Sequence, residues 1–154
     1  MRIIGIDPGL VHTGWGIIDS NGHERKYIAS GVILPKTKDS LRERLLVIFN
    51  EIKILIDLWK VDECAIEQTF VNQNSKTTLL LGHARAAAIL AAAMIPVYEY
   101  EPNKIKKAIA SFGHAGKSQI DAMIRILLPK ADPKTSDESD ALAIALTHSN
   151  YSRL

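Results

Sequence analysis

The sequence is poor in the residues that mark several kinds of protein. One cysteine, Cys64, stands among 154 residues, so no disulfide can close within the chain. Its place in the apolar run Val61–Ile66 reads as a buried structural thiol. The richest apolar stretch, Ala86–Ile95, is alanine-dominated and falls well short of the roughly 20 residues a spanning helix requires. The opening run reaches the acidic Asp7 too early for the apolar core of a secretion signal. No Gly-x-Gly-x-x-Gly or Gly-x-x-x-x-Gly-Lys loop occurs, which removes the common backbone cradles for nucleotide phosphates. The five histidines, His12, His23, His83, His114 and His148, show no paired zinc spacing and are expected to be structural or solvated. Neither sign of charge dominates: 19 Lys and Arg against 17 Asp and Glu leave a net charge of +2, which permits nucleic acid without demanding it. The expectation is a cytoplasmic protein of a reducing compartment with no membrane partner.

What is present suits one ordinary domain. Hydrophobic residues make up 47% and charged residues 23%, enough for one sizeable core, and the domain is expected to cover residues 1–154. Arg2–Asp7 is a short apolar run ended by Pro8-Gly9, hence a buried strand and a turn. Gly14–Ile18 ends at the turn cluster Asp19-Ser20-Asn21-Gly22, and Tyr27–Leu34 returns as a third strand. Ser40 is placed to cap a helix in which Leu41, Leu45, Ile48, Ile52 and Leu55 recur at helical spacing. Val61–Gln68 reads as a fourth strand, apolar on both faces. The polar stretch Thr69–Thr78 leads to a helix over Thr77–Met94, which Pro96 stops. Val97–Tyr100 is a fifth strand, and helices follow over Pro102–Ala110, Lys117–Leu128 and Ser136–Ser149.

That order predicts an α/β fold in which a five-stranded mixed sheet, three antiparallel strands and then parallel ones, is flanked by helices. A right-handed crossover from the third strand lays the fourth beside the first and parallel to it. The C-terminal ends of those two strands then lie together, where open sheets tend to build sites.

Asp7 ends the first strand and Glu67 the fourth. Asp137 and Asp140 open the last helix three residues apart, on one face. Four carboxylates from three segments around one volume repel unless a cation lies between them. Oxygen-only ligands suit Mg²⁺ or Mn²⁺, and two such ions about 4 Å apart can serve phosphodiester hydrolysis. Taken singly, each acid has a plainer reading. Asp7 suits a turn before Pro8, Glu67 suits a solvated strand end, and Asp137 and Asp140 suit a helix dipole. Thr135-x-x-Glu138 reads as a capping box, which accounts for Glu138 and leaves Asp7 and Glu67 unexplained.

In chain order, Ile3-Ile4-Gly5-Ile6-Asp7-Pro8-Gly9, Thr13-Gly14-Trp15-Gly16, Ala65-Ile66-Glu67-Gln68-x-Phe70 and Leu81-Gly82-x-Ala84-Arg85 come first. Tyr98-Glu99-Tyr100, Lys117-Ser118-Gln119 and Asp137-x-x-Asp140-Ala141-Leu142-Ala143-Ile144-Ala145 complete the set. Together they closely resemble the RuvC family of crossover (Holliday) junction endodeoxyribonucleases, from residue 3 to about 148. The resemblance implies an RNase H-like fold, with metal-binding and catalytic acids at Asp7, Glu67, Asp137 and Asp140. It implies a homodimer that nicks two strands of a four-way DNA junction symmetrically, in recombination and repair, with Mg²⁺ as cofactor, Mn²⁺ able to substitute, and two ions per site. It further implies work beside the RuvA and RuvB branch-migration proteins. Some relatives carry a longer basic tail than a sequence ending at Leu154, so tail-mediated contacts are not carried over.

The polar loop bears one aromatic, Phe70, that could stack on an unpaired base, or else tuck into the core. Asn74 and Lys76 beside it, and Lys106, Lys107 and Lys117 farther on, are the candidates for DNA contact, with Lys104 a further basic residue of that run; a solvated helix face is their plain alternative. The competing functions are another RNase H-like nuclease acting on a different branched DNA or an RNA/DNA hybrid, a non-catalytic DNA-binding module, and an actin-like phosphotransfer protein. The last needs two such domains, more than this length supplies.

Overall fold

A computed structural model describes residues 1–68, 74–110 and 116–152. Among the described residues five strands and five helices follow one another as β1 (Arg2–Asp7), β2 (Thr13–Ser20), β3 (Arg25–Ile33), α1 (Leu41–Trp59), β4 (Glu63–Glu67), α2 (Ser75–Ala91), β5 (Val97–Tyr100), α3 (Pro102–Ala110), α4 (Lys117–Leu127) and α5 (Ser136–Tyr151). The strand order is β3-β2-β1-β4-β5. β1 pairs antiparallel with β2, β2 antiparallel with β3, and β4 parallel with both β1 and β5. This is the mixed sheet expected from the sequence, with β1 at its centre.

The period of two along each strand divides the core into two layers. Ile4, Ile6, Ile17, Cys64 and Ile66 face one side and pack with Ile48 and Ile52 of α1 and Ala84 and Ala88 of α2. Ile3, Ile18 and Ala65 face the other and pack with Ile105, Ile120, Ile124, Leu142 and Ile144 of α3, α4 and α5. Odd-numbered positions of β1 and β4 therefore point to the α5 layer. Asp7 and Glu67 share that parity.

Local signals set the element ends. Ser40 caps α1 through a reciprocal box with Glu43. Asn74 accepts from the Thr77 backbone N–H at 3.1 Å, so α2 begins at Ser75, earlier than the polar run suggested. α2 ends at Ala91, three residues before the expected Met94. α5, buried from Ala141 to Ser149, lies directly on β1 and β2, and glycine permits the contact: a Cβ on Gly5 would sit 2.0 Å from the Ala141 carbonyl oxygen, and one on Gly14 2.1 Å from that of Asp137. Among the described residues no helix is long and apolar enough to cross a membrane.

Candidate active site

The parallel register Ile3↔Glu63 through Ile6↔Ile66 puts Asp7 and Glu67 one step farther on, at the adjoining C-terminal ends of the two strands. The N-terminus of α5 arrives over the same ends because Gly14 lets the Asp137 backbone against β2. A cleft of about 450 Å³ opens there, lined by Asp7, Glu67, Asp140, Lys106 and Lys117, with Pro102, Ile105, Ile120, Ala143 and Ile144 as its apolar wall. Lys117 Nζ lies 3.8 Å from Asp140 Oδ2, and His12 Nδ1 lies 3.7 Å from Asp137 Oδ2.

The electrostatics are those of crowded, partly desolvated carboxylates. Burial, then the charges of Asp140, Glu67 and Asp137, push the Asp7 carboxyl up from 3.8 to about 7. Burial and Asp140 raise Glu67, against the opposing pull of Lys106 and Lys117. Asp140 is raised by burial and by Asp137, with Lys117 and Lys106 acting the other way. The charges of the two lysines thus only partly offset burial and the neighbouring acids. Among the described residues no group of three His, Cys, Asp or Glu side chains is drawn together tightly enough to hold an ion as it stands. Carboxylates without a counter-charge keep apart. The donor set of the cleft fits a hard divalent cation: its acids offer carboxylate oxygens, and burial first and mutual repulsion second raise the carboxyls, both of which such an ion would offset.

Residues 3–148 match the family described as crossover junction endodeoxyribonuclease RuvC. The chain belongs to the RuvC family. A crossover junction endodeoxyribonuclease RuvC from Rhodopseudomonas palustris (strain TIE-1) is 50% identical over 98% of this chain and 88% of its own length. Thermus thermophilus RuvC in complex with Holliday junction substrate superimposes with a TM-score of 0.92 at 32% identity, covering 99% of this chain and 95% of that one. The yeast mitochondrial Holliday junction resolvase Ydc2, at 13% identity and a TM-score of 0.71, shares the fold. The RNase H-like architecture expected from the resemblance is therefore the one present.

Within this RuvC chain the basic candidates separate. Lys106 and Lys117 face the acids, whereas Lys107 is exposed on the last turn of α3, outside the cleft. Lys104 lies over the rings of Tyr151 at 3.9 Å and Tyr100 at 5.2 Å. Lys76 is exposed on the first turn of α2, and the Asn74 side-chain oxygen is engaged as the cap of that helix. Phe70 lies outside the described residues. His12 carries no signal in the sequence, because nothing in histidine spacing reports a contact made across the fold to α5. Glu138 is buried beneath the site, accepting from Ser30 Oγ at 2.7 Å and from the Lys134 N–H at 3.3 Å. It takes the Lys134 amide where a closed capping box would use that of Thr135.

Proposed function

We propose that this chain is a structure-specific endonuclease that resolves four-way DNA junctions by metal-dependent, symmetric nicking, acting as one nuclease domain over residues 1–154. The observation that carries the reading is the set of carboxylates at the ends of β1, β4 and α5, facing Lys106 and Lys117 in one cleft, in a chain of the RuvC family. The relative solved with a Holliday junction supports the choice of substrate.

Asp7, Glu67, Asp137 and Asp140 are the proposed ligands and catalytic acids, with Mg²⁺ as the ion and Mn²⁺ as its substitute. Held by these acids, two such ions would supply an activated water and stabilisation of the leaving oxygen of a phosphodiester. The chain's own residues do the remaining work. Lys106 and Lys117 offer cations to the phosphates flanking the cut. Ile105, Ile120 and Ala143 wall the acids from bulk water on one side, which strengthens every charge interaction in the cleft. Asn74, Lys76 and Lys107, outside the cleft, suit strand contacts farther from the cut. Phe70 is proposed to stack on a base at the opened crossover.

Paired cuts require paired sites, so the working form is proposed to be a homodimer in the cytoplasm, beside RuvA and RuvB. Its surface is the outer side of α1 and α2. An apolar groove of about 530 Å³ runs there between Leu45, Leu46 and Phe49 of α1 and His83, Ala86, Ala87 and Leu90 of α2. Leu79 is exposed on the same helix, whereas Ala88 of α2 and Ala92 just after it are buried among the chain's own core residues and are not available to a partner.

The test is cleavage of a synthetic four-way junction with Mg²⁺, beside a nicked duplex, a flap and an RNA/DNA hybrid. The expected result is paired nicks in the junction alone. Asp7→Asn should lower cleavage by orders of magnitude and leave junction binding intact. Preferred cleavage of the hybrid would replace this reading with that of another RNase H-like nuclease.

A further inference from the structure

Two arginines of the α1/α2 layer, on the side of the sheet opposite the acids, each donate to a main-chain carbonyl at the end of an acid-bearing strand. Arg85 of α2 gives its Nε–H to the carbonyl of Glu67 itself, at 3.1 Å, and is paired with Glu99 of β5. Arg44 of α1 gives its Nη2–H to the carbonyl of Leu10, at 2.6 Å, in the turn that follows Asp7. That turn is closed from within by Thr13, which is fully buried: its hydroxyl donates to the Gly9 carbonyl at 2.7 Å and accepts from the Gly9 N–H at 3.1 Å. Leu10 is buried in the α1/α2 layer, so the chain turns from the acid face to the opposite face within a few residues of Asp7.

Arg44 differs from Arg85 in having, among the described residues, no acid paired with it. Among the described residues its one side-chain hydrogen bond is to Leu10, and its Nε is buried without any partner. Arg44 is half-buried as a whole, but a buried guanidinium nitrogen left without a partner is unfavourable, and a methionine of similar length would fill the same space without that cost. A buried polar group left in this state asks for an explanation other than packing.

Resting on the proposed reading of the acids as metal ligands, we infer that Arg44 and Arg85 are positioning residues that hold the Asp7 turn and the Glu67 strand end in register from behind the sheet. The repulsion among the acids gives them something to resist. Asp7 and Glu67 lie on neighbouring strands, and Asp140 opposes both. Carboxylates that push apart move the main chain unless it is anchored, and these two carbonyls are the points at which side chains of the α1/α2 layer hold it. Groups that orient metal ligands typically contribute 10–100-fold in metal affinity or activity.

The experiment uses Arg44→Met and Arg85→Met, which keep the aliphatic stem and remove the guanidinium, with Arg44→Lys as the milder variant. Mn²⁺ binding to the DNA-free protein is read by electron paramagnetic resonance, beside melting temperature, junction affinity and the kcat and KM of cleavage. Arg44→Met is expected to weaken Mn²⁺ binding about tenfold and to lower kcat about tenfold, with KM, junction affinity and melting temperature close to wild type. Added methylguanidinium should restore part of both losses. Wild-type Mn²⁺ affinity and kcat in Arg44→Met would overturn the inference. So would loss of junction affinity at unchanged Mn²⁺ affinity, which would make Arg44 a phosphate contact. If Arg44→Met does not fold, Arg44→Lys decides on the same readouts, wild-type values overturning the inference and weakened Mn²⁺ binding upholding it. Failure of the wild-type protein itself to bind Mn²⁺ or to cut a junction would instead remove the reading of the site.

Discussion

At the scale of the residue, Asp7 is the most informative group, because its chemistry and its contribution to stability oppose each other. Its carboxyl is raised to about 7 in the folded chain from 3.8, so between those values the native state binds more protons than the unfolded one. Stability from this group is therefore full below about pH 4 and is lost as pH rises through about 7. Metal-free protein should lose melting temperature across that window. Asp7→Asn should flatten the loss and be the more stable of the two at pH 8, while cutting orders of magnitude more slowly. Saturating Mg²⁺ should remove most of the pH dependence in the wild type, since an ion takes over the protons' role. A wild-type melting temperature that is flat or rising from pH 4 to 8 without metal would contradict the assigned cause. Phe70 separates from the acids by a different measurement. If it stacks on a base, Phe70→Ala folds normally, cuts slowly and recovers on a junction with unpaired bases at the crossover, which Asp7→Asn does not. If it packs in the core, the same change costs about 3–5 kcal/mol of stability.

At the scale of the element, α5 carries the greatest consequence, since it brings Asp137 and Asp140 to the strand ends. Its far end is held by a buried chain of hydrogen bonds: His148 Nε2 to Glu63 Oε2 at 2.5 Å, and His148 Nδ1 to the Tyr100 hydroxyl at 2.7 Å, with Tyr98 stacked on the imidazole at 4.4 Å. Tyr100→Phe leaves a buried ring nitrogen unsatisfied and should cost about 1–3 kcal/mol in denaturant melts. Gly14→Ala forces α5 off β2 and should cost a similar amount, about 1–3 kcal/mol, and also slow cleavage, because it displaces the Asp137 main chain. Equal stability in either variant would show that α5 seats itself by its apolar contacts alone. The elements were legible in the sequence because their signals are local: turn residues after Asp7 and Asp19, a capping box at Ser40, helical spacing through Ile48 and Ile52. The pairing of β4 with β1 was legible because crossover handedness leaves one choice. Contacts made across the fold were not. His12 meets Asp137, His148 meets Glu63, and Arg44 meets Leu10 only after the sheet has formed. Nor does a run of lysines say which of them turns inward; α3's pitch directs Lys106 to the acids and Lys107 to solvent.

At the scale of the whole molecule, the two faces of the sheet divide the labour. The α3, α4 and α5 layer bears the acid cleft, and the α1 and α2 layer ends in an apolar groove. Leu46 is 52% exposed and Leu90 65%, so a charge at either position disturbs little inside one chain. Both border the same groove, and a groove that receives the matching ridge of a second copy gives the isologous contact of a two-fold dimer. A stable interface of this kind buries about 800 Å² per partner, and a glutamate introduced at its centre meets its own symmetry mate as well as apolar surface. Leu46→Glu with Leu90→Glu should therefore turn a dimer into a monomer in sedimentation equilibrium, with a far-ultraviolet spectrum and melting temperature near those of the wild type at low concentration. The active site lies on the opposite layer, so the monomer should still nick a junction when Mg²⁺ is present. What it should lose is coupling: on a junction in a supercoiled plasmid, wild-type protein gives linear products from paired cuts, whereas the variant gives single nicks that relax the circle first. A wild-type chain that sediments as a monomer at working concentration and still yields linear products would refute the dimer, and a doubly charged variant that remains dimeric would move the interface to another face.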